Sequence, residues 1–350
     1  YANNDGELAS RDVVARAELT EVNEGRGVED EYVHLDMRHL GEDRILDRLE
    51  NILHLAEDFE GVDGLEEPMP VKPGQHYAMG GIETDENGET CIGGLYAAGE
   101  CACVSLHGAN RLGGNALPEL LVFGARAGRH AAGADMKTAE IQTGPEARSE
   151  DGDIETPVEP GAVEASAGAA DGDDSDADVA ADGAGATAVK PGQVLDEAVE
   201  RERDRVESLL ENDGINHADV RADVQESMTA NVNVFRREEN LKEALVDLRE
   251  ARERYQNVGV SDPSRTYNTD LIHTIETRNV IDLAEAITLG ALAREEFRGA
   301  HWREEFQERR DDEWLKHTLL AWNGGDPDLY YKPVILEGDE QTYEPKERSY

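Results

Sequence analysis

The chain is poor in lysine, cysteine and aromatic residues, and each shortage closes off a class of function. Seven of its 350 residues are Lys, so 27 of the 34 basic residues are Arg, against 78 Asp plus Glu and a formal net charge of −44. A nucleic-acid partner calls for clustered positive charge that displaces counterions from phosphates; this chain carries the opposite sign, so no nucleic acid is expected. Cys91, Cys101 and Cys103 are too few and too close together for a disulfide framework. They also supply too few ligands for a structural metal, so free thiols are expected. No stretch approaches the ~20 apolar residues that span a bilayer. The segment from Tyr1 to Arg11 has neither the basic start nor the apolar run of a signal peptide.

What is present points to a folded, salt-adapted cytoplasmic protein, with an unusually acidic mesophilic protein as the alternative. At 38% hydrophobic residues there is material for real cores, and the length exceeds the ~250 residues at which single cores stop growing, so two or three domains are expected. The carboxylates are spread along the whole chain instead of forming one acidic tail. Such self-repulsion opposes a compact state unless salt screens it, and at molar salt the screening length falls to ~3 Å.

The chain divides into five parts by composition. Residues 1–73 read as mostly helical, with Leu46, Leu49, Ile52, Leu53 and Ala56 at helical spacing. The prolines at 68, 70 and 73 are expected to stop regular structure there. Residues 74–134 are glycine-rich with short apolar runs. Ile82–Thr84 and Gly94–Ala98 read as strands joined by the turn Asp85–Glu86–Asn87–Gly88, and Leu117–Ala132 as a helix packed on a sheet. Residues 135–195 form an acidic linker or insertion: between Asp151 and Thr187 there are eleven carboxylates, no Lys or Arg and no aromatic residue. That composition buries too little apolar area to offset chain entropy. Residues 196–299 return to long helical patterns. Leu241, Leu245, Leu248 and Tyr255 make one stripe; Ile272, Ile275, Val280, Leu283, Ala284, Ile287 and Ala291 make another. Two or three antiparallel helices follow from them. Residues 300–350 read as a small irregular end domain.

The familiar phosphate-binding and hydrolytic motifs are missing: no G-x-G-x-x-G after a strand, no G-x-x-x-x-G-K-[ST], no H-E-x-x-H and no G-x-S-x-G. The chemistry concentrates instead between Gln75 and Gly128. Glycines there alternate with hydrogen-bonding side chains, which suits backbone lying close to a flat ligand. Arg111, beside Gly113–Gly114, suits bidentate capture of a carboxylate. His76 is placed to donate to a second one.

Seven blocks of this sequence resemble the flavoprotein subunit of succinate dehydrogenase and fumarate reductase. They are Arg11–Asp12–Val13–Val14–Ala15–Arg16–Ala17 with Glu24–Gly25–Arg26–Gly27, His76–Tyr77–Ala78–Met79–Gly80–Gly81–Ile82, Gly94–Leu95–Tyr96–Ala97–Ala98–Gly99–Glu100, His107–Gly108–Ala109–Asn110–Arg111–Leu112–Gly113–Gly114–Asn115, Asn268–Thr269–Asp270–Leu271–Ile272, Arg298–Gly299–Ala300–His301 and Asp311–Asp312–Glu313–Trp314. They run in family order and cover roughly 1–134 and 196–320.

The resemblance implies a fold of the α/β plus α class: part of a capping domain (1–73), the C-terminal part of an FAD-binding domain (74–134), then a helical bundle and a small C-terminal domain. It implies FAD as cofactor, succinate or fumarate as substrate, and electron transfer to an iron–sulfur subunit held by membrane anchor subunits on the cytoplasmic side of the membrane. By the same resemblance Arg11 carries the proton removed from one substrate methylene while the flavin takes hydride from the other. His76 and Arg111 hold the substrate carboxylates, and Glu100, Ala116 and Leu117 contact the flavin. Carbonyls of Ala78, Met79, Gly80, Glu100 and Ala102 surround a monovalent cation in relatives. The family has Ser where this chain has Ala116, so only a backbone contact survives there; Pro118 and Glu119 are further departures. The dinucleotide fingerprint and the flavin-linking histidine lie upstream in relatives, so the chain reads as a C-terminal portion, inactive alone. Two other readings stand beside this one: a soluble flavin-dependent oxidase of an amino acid such as aspartate, and a non-catalytic acidic scaffold. Relatives of the first kind usually read differently around Arg111.

Overall fold

The computed structural model describes residues 6, 9–133, 191–322, 326–337, 342–343 and 345. The expected acidic linker lies outside the described residues, apart from its last few positions; helix already begins at Pro191, ahead of the boundary expected at 196.

The N-terminal part is an α1 helix (Arg11–Asn23), a β1 strand (Val33–Leu35), an α2 helix (Glu42–Glu60) and a β2 strand (Met69–Val71). Met37, Ile45, Ala56 and Met69 form its core, with Leu49 and Leu53 packed alongside. Two expected stripe members, Leu46 and Ile52, stand exposed instead. The prolines do not stop regular structure. β2 runs through Pro70, which pairs opposite His34 in an antiparallel two-stranded sheet. A strand with one free edge tolerates a residue without an N–H, and Met69 anchors it under α2.

The glycine-rich part holds two-residue strands β3 (Ile82–Glu83) and β4 (Ala102–Cys103), and an α3 helix (Ala116–Gly133). The expected hairpin is displaced. Asp85 Oδ1 accepts the Asn87 and Glu89 amides at 2.8 and 2.9 Å, which turns the chain early, so that 88–90 ladder with 95–97. β3 then pairs in parallel with β4. Gly81, at φ +123, makes that pairing possible: a Cβ there would sit 2.4 Å from the Cys101 carbonyl oxygen. α3 forms where a helix is expected, but Leu117, Leu121 and Val122 on it are exposed and not packed on a sheet.

The second half is helical. α4 (Pro191–Glu211) leads into the helices α5 (His217–Asn231), α6 (Glu238–Tyr255) and α7 (Thr269–Ala293), which share one core of Val220, Val224, Leu248, Ala251, Val258, Ile281 and Ala284. Side-chain oxygens of Asn216 and Asn268 cap α5 and α7 by accepting first-turn amides at 2.8 Å. The stripe on α6 is buried as expected at Leu241, Leu245 and Leu248, and half-buried at Tyr255. On α7 the buried face is rotated: Thr274, Thr277, Ile281, Ala284, Thr288 and Ala291 face inward, while Ile272, Leu283 and Ile287 are exposed. Each of those threonines donates to the carbonyl four residues back at 2.8 Å, so its hydroxyl enters the core already satisfied.

A short α8 helix (Asp311–Trp314) and the antiparallel strands β5 (Lys316–Ala321) and β6 (Asp328–Pro333) follow. Trp314, Leu329 and Tyr331 pack together beneath the end of α7. Buried Glu296 organises the approach to this hairpin. It accepts from Arg294 and Arg298 at 2.6 Å each and from the Arg310 amide at 3.1 Å. Burial alone would raise its carboxyl; those bonds and charges outweigh it and hold it below its ordinary range.

Candidate functional site

The residues singled out from sequence lie on three segments that meet. The first is the start of α1, where Arg11 is exposed and Asp12 turns inward. Asp12 accepts from Ser10 at 2.5 Å, from Arg16 at 2.7 Å and, across 98 residues, from Asn110 Nδ2 at 2.8 Å. That last bond ties the residue after Arg11 to the residue before Arg111.

The second segment carries His76, which is exposed, and Tyr77. The Arg111 guanidinium lies 4.5 Å over the Tyr77 ring, a stacking that suits its planar cation. The edge of the same ring meets His107 at 5.5 Å between centroids. His76 and Arg111 are therefore carried by segments in direct contact, through Tyr77. Next to it the Ala78 amide donates to Glu100 Oε1 at 2.9 Å, which fixes the third segment, the turn before β4.

The third segment leads into α3. Ala116 and Leu117 open that helix, and Leu117 is 68% exposed. Gly113 and Gly114 have open space where a side chain would be. The start of the helix is therefore apolar and exposed beside bare backbone. Among the described residues no group of three or more His, Cys, Asp or Glu is arranged to hold a metal.

Several polar atoms here are buried without a partner: His107 Nδ1, Arg111 Nε and both carboxylate oxygens of Glu119, a residue 2% exposed. Their charges act on one another. Burial lowers the His107 pKa, the Glu119 carboxylate opposes this and Arg111 adds to it. Burial raises the Tyr77 hydroxyl, with Glu119 and Glu100 in support. Glu18, seven residues along α1 from Arg11, is raised by burial while the Arg11 charge pulls it back. Sequence reasoning did not single out Tyr77, His107, Asp12 or Asn110, although all four sit inside the quoted blocks. Glu119 registered only as a departure from the family pattern.

The C-terminal part reaches this site as well. Ala300 N donates to the Ala109 carbonyl at 3.0 Å, the Ser105 hydroxyl and His317 Nε2 share a 2.9 Å hydrogen bond, and Lys332 pairs with Glu83 at 3.0 Å.

Comparison with known proteins yields matches along the whole chain. A family model described as fumarate reductase flavoprotein C-term matches residues 221–350, and one described as FAD binding domain matches residues 2–117. The fumarate reductase flavoprotein subunit of Mycobacterium tuberculosis is 38% identical over 348 residues, which cover 98% of this chain and 52% of that protein. The succinate dehydrogenase flavoprotein subunit of Rickettsia bellii is 37% identical over 350 residues, 96% of this chain and 50% of that protein. A solved E. coli quinol fumarate reductase chain superposes with a TM-score of 0.75 at 35% identity, over 98% of this chain and 50% of that one. The chain thus spans about half the length of the curated relatives it matches.

Proposed function

Since the chain belongs to the succinate dehydrogenase/fumarate reductase flavoprotein family, we propose that it forms the substrate-facing part of an FAD-dependent enzyme that interconverts succinate and fumarate. The observation that carries this reading is the junction of the three segments: Asn110 on Asp12, and Arg111 on Tyr77. It supports an arrangement in which two cationic side chains converge on a four-carbon dianion.

In this reading Arg111 takes one carboxylate through its planar fork, and His76 donates to the other. The Tyr77 ring fixes the angle of the guanidinium, so the substrate is held in one orientation. FAD, when bound, supplies the acceptor for a hydride from one methylene carbon. Glu100, Leu117 and the backbone at Ala116 would hold it, and the exposed apolar start of α3 fits that role. Arg11 receives the proton leaving the neighbouring methylene, which gives the carbon–carbon double bond. A charged guanidinium has no acceptor site, so Arg11 can take this proton only as it hands one of its own to a neighbouring carboxylate or to solvent.

The electrons leave through an iron–sulfur subunit to quinone, with membrane anchor subunits holding the complex. The E. coli relative is a quinol fumarate reductase, which supports this. Among the described residues no helix is long and apolar enough to cross a membrane, in keeping with a peripheral subunit. Three free cysteines favour the cytoplasmic face.

The test is succinate oxidation with an artificial dye by the flavin-loaded holoenzyme. Removing one partner of a desolvated charge pair costs about 2–5 kcal/mol, so Arg111→Ala should lower kcat/KM by about 30-fold or more. Arg11→Ala should abolish turnover with flavin still bound. Full turnover in Arg11→Ala would refute the proton assignment, and full turnover in Arg111→Ala would refute the clamp.

A further inference from the structure

The loop that carries Arg111 is gripped from the far end of the chain. Its first anchor is Ser105, a non-glycine residue at φ +62. L-residues rarely adopt that left-handed region, and a contact from elsewhere helps to hold one there. Here the holder is His317 Nε2, 2.9 Å from the Ser105 hydroxyl and 212 residues away. The second anchor is Ala109, whose carbonyl accepts the Ala300 amide at 3.0 Å. Gly299, at φ +56, lies so close behind it that a Cβ would fall 2.8 Å from the Ala109 oxygen.

Both anchors share a stiff base. Arg294 donates to the Lys316 carbonyl at 2.9 Å and reaches the Thr318 hydroxyl at 3.3 Å, on either side of His317. It also bonds buried Glu296, which bonds Arg298 just before Gly299. Burial first, with the Lys332 and Arg294 charges, lowers the His317 pKa. Between the two anchors and just beyond them lie His107, Asn110 and Arg111.

We propose that the C-terminal segment is a positioning clasp for the dicarboxylate site: His317 holds Ser105, the Gly299–Ala300 turn holds Ala109, and together they set the angle at which Arg111 meets the substrate. The inference rests on the functional reading above and adds to it a second set of residues, none of which touches substrate. They position Arg111; they take no part in bond making. The clasp also explains why a helical and hairpin region with no titratable group in the reaction closes over the glycine-rich loop at all.

The test uses the flavin-loaded holoenzyme, with malonate as a non-reacting dicarboxylate read by the change in flavin absorbance, and succinate for turnover. With one hydrogen bond removed, His317→Ala and Ser105→Ala should each raise the malonate Kd and the succinate KM about three- to tenfold. In both, kcat, flavin content and melting temperature should stay close to the parent values. His317→Gln, which keeps a hydrogen-bonding atom at similar reach, should restore most of the affinity. Gly299→Ala, which pushes on Ala109 directly, should raise KM further. Unchanged malonate binding in His317→Ala and Ser105→Ala would overturn the clasp. So would losses that follow flavin content or melting temperature, or that the glutamine variant does not relieve. If the parent enzyme neither binds malonate nor oxidises succinate, the functional reading itself falls, and the clasp falls with it.

Discussion

Acidification should destabilise this protein through its buried imidazoles, and His301, the most strongly shifted, gives both sign and size. His301 Nε2 lies 3.1 Å from the Arg294 carbonyl, so that nitrogen carries the proton and donates it. Nδ1 faces the Arg236 guanidinium at 3.4 Å and accepts from it. A second proton on the ring would point at that cation. Burial foremost, then Arg236, brings the His301 pKa down from 6.5 to about 4. The unfolded chain therefore binds a proton near pH 6.5 that the folded chain refuses until about pH 4. Stability from this group is complete above pH 6.5 and is lost as the pH falls through that window. The 2.5-unit gap corresponds to about 3 kcal/mol at ~1.4 kcal/mol per unit, a large share of the ~5–15 kcal/mol typical of a domain. Protonating the many carboxylates relieves self-repulsion over part of the same range and works the other way, so the raw curve mixes both. Urea midpoints for the parent and His301→Gln, from pH 7.5 to 4 at fixed salt, separate them, because the glutamine keeps the donor to Arg294 and never ionises. The difference should be flat above pH 6.5 and fall steadily toward pH 4. A flat difference across the whole range would refute the reasoning.

Two further outcomes follow from charge. Glu119→Gln should lower the His107 pKa still further, because the carboxylate is what opposes burial and Arg111 at that ring; an NMR titration in which His107 rises or stays put would contradict this. The same variant should fold at least as well as the parent, since both Glu119 oxygens are buried without a partner and a neutral amide is cheaper to desolvate. With a net charge of −44, the unfolding midpoint should climb between ~0.1 and ~1 M KCl, as the screening length shrinks from ~10 to ~3 Å; a midpoint independent of salt would show that the acidic surface does not govern stability.

The elements legible from sequence were those whose burial is carried by apolar side chains at helical spacing. α6 is the clearest case, because Leu241, Leu245 and Leu248 are each buried to within 1%. On the neighbouring α7 the same rule found Ala284 and Ala291 but also placed Ile272, Leu283 and Ile287 inward, where they are exposed. Apolar periodicity counts a threonine as polar, but Thr274, Thr277 and Thr288 satisfy their hydroxyls on their own helix and then pack like small branched hydrocarbons. The prolines around β2 misled for a related reason: the rule against strand proline holds for paired interiors, and this strand has a free edge. In the hairpin, one Asp85 side chain moved the reversal by a few residues and left β3 free to pair elsewhere. α3 read as a helix because its residues favour one, yet nothing local says what its exposed leucines face.

The site divides along the same line. Arg111, His76 and Glu100 stand out because each lies in a short contiguous block, and a block survives as a signal whatever the rest of the chain does. The residues that fix their geometry stand out only once the chain is folded, since their partners are remote: Asp12 with Asn110 across 98 positions and Ser105 with His317 across 212. No periodicity or spacing rule reaches that far. A residue proposed to hold the ligand can thus be recognised from its neighbours in sequence, whereas those proposed to aim it are recognisable only by their neighbours in space. In this chain that distinction separates Arg111, which the sequence names, from Tyr77, over whose ring its guanidinium lies, and from Asn110 and His317, whose hydrogen bonds tie down its loop.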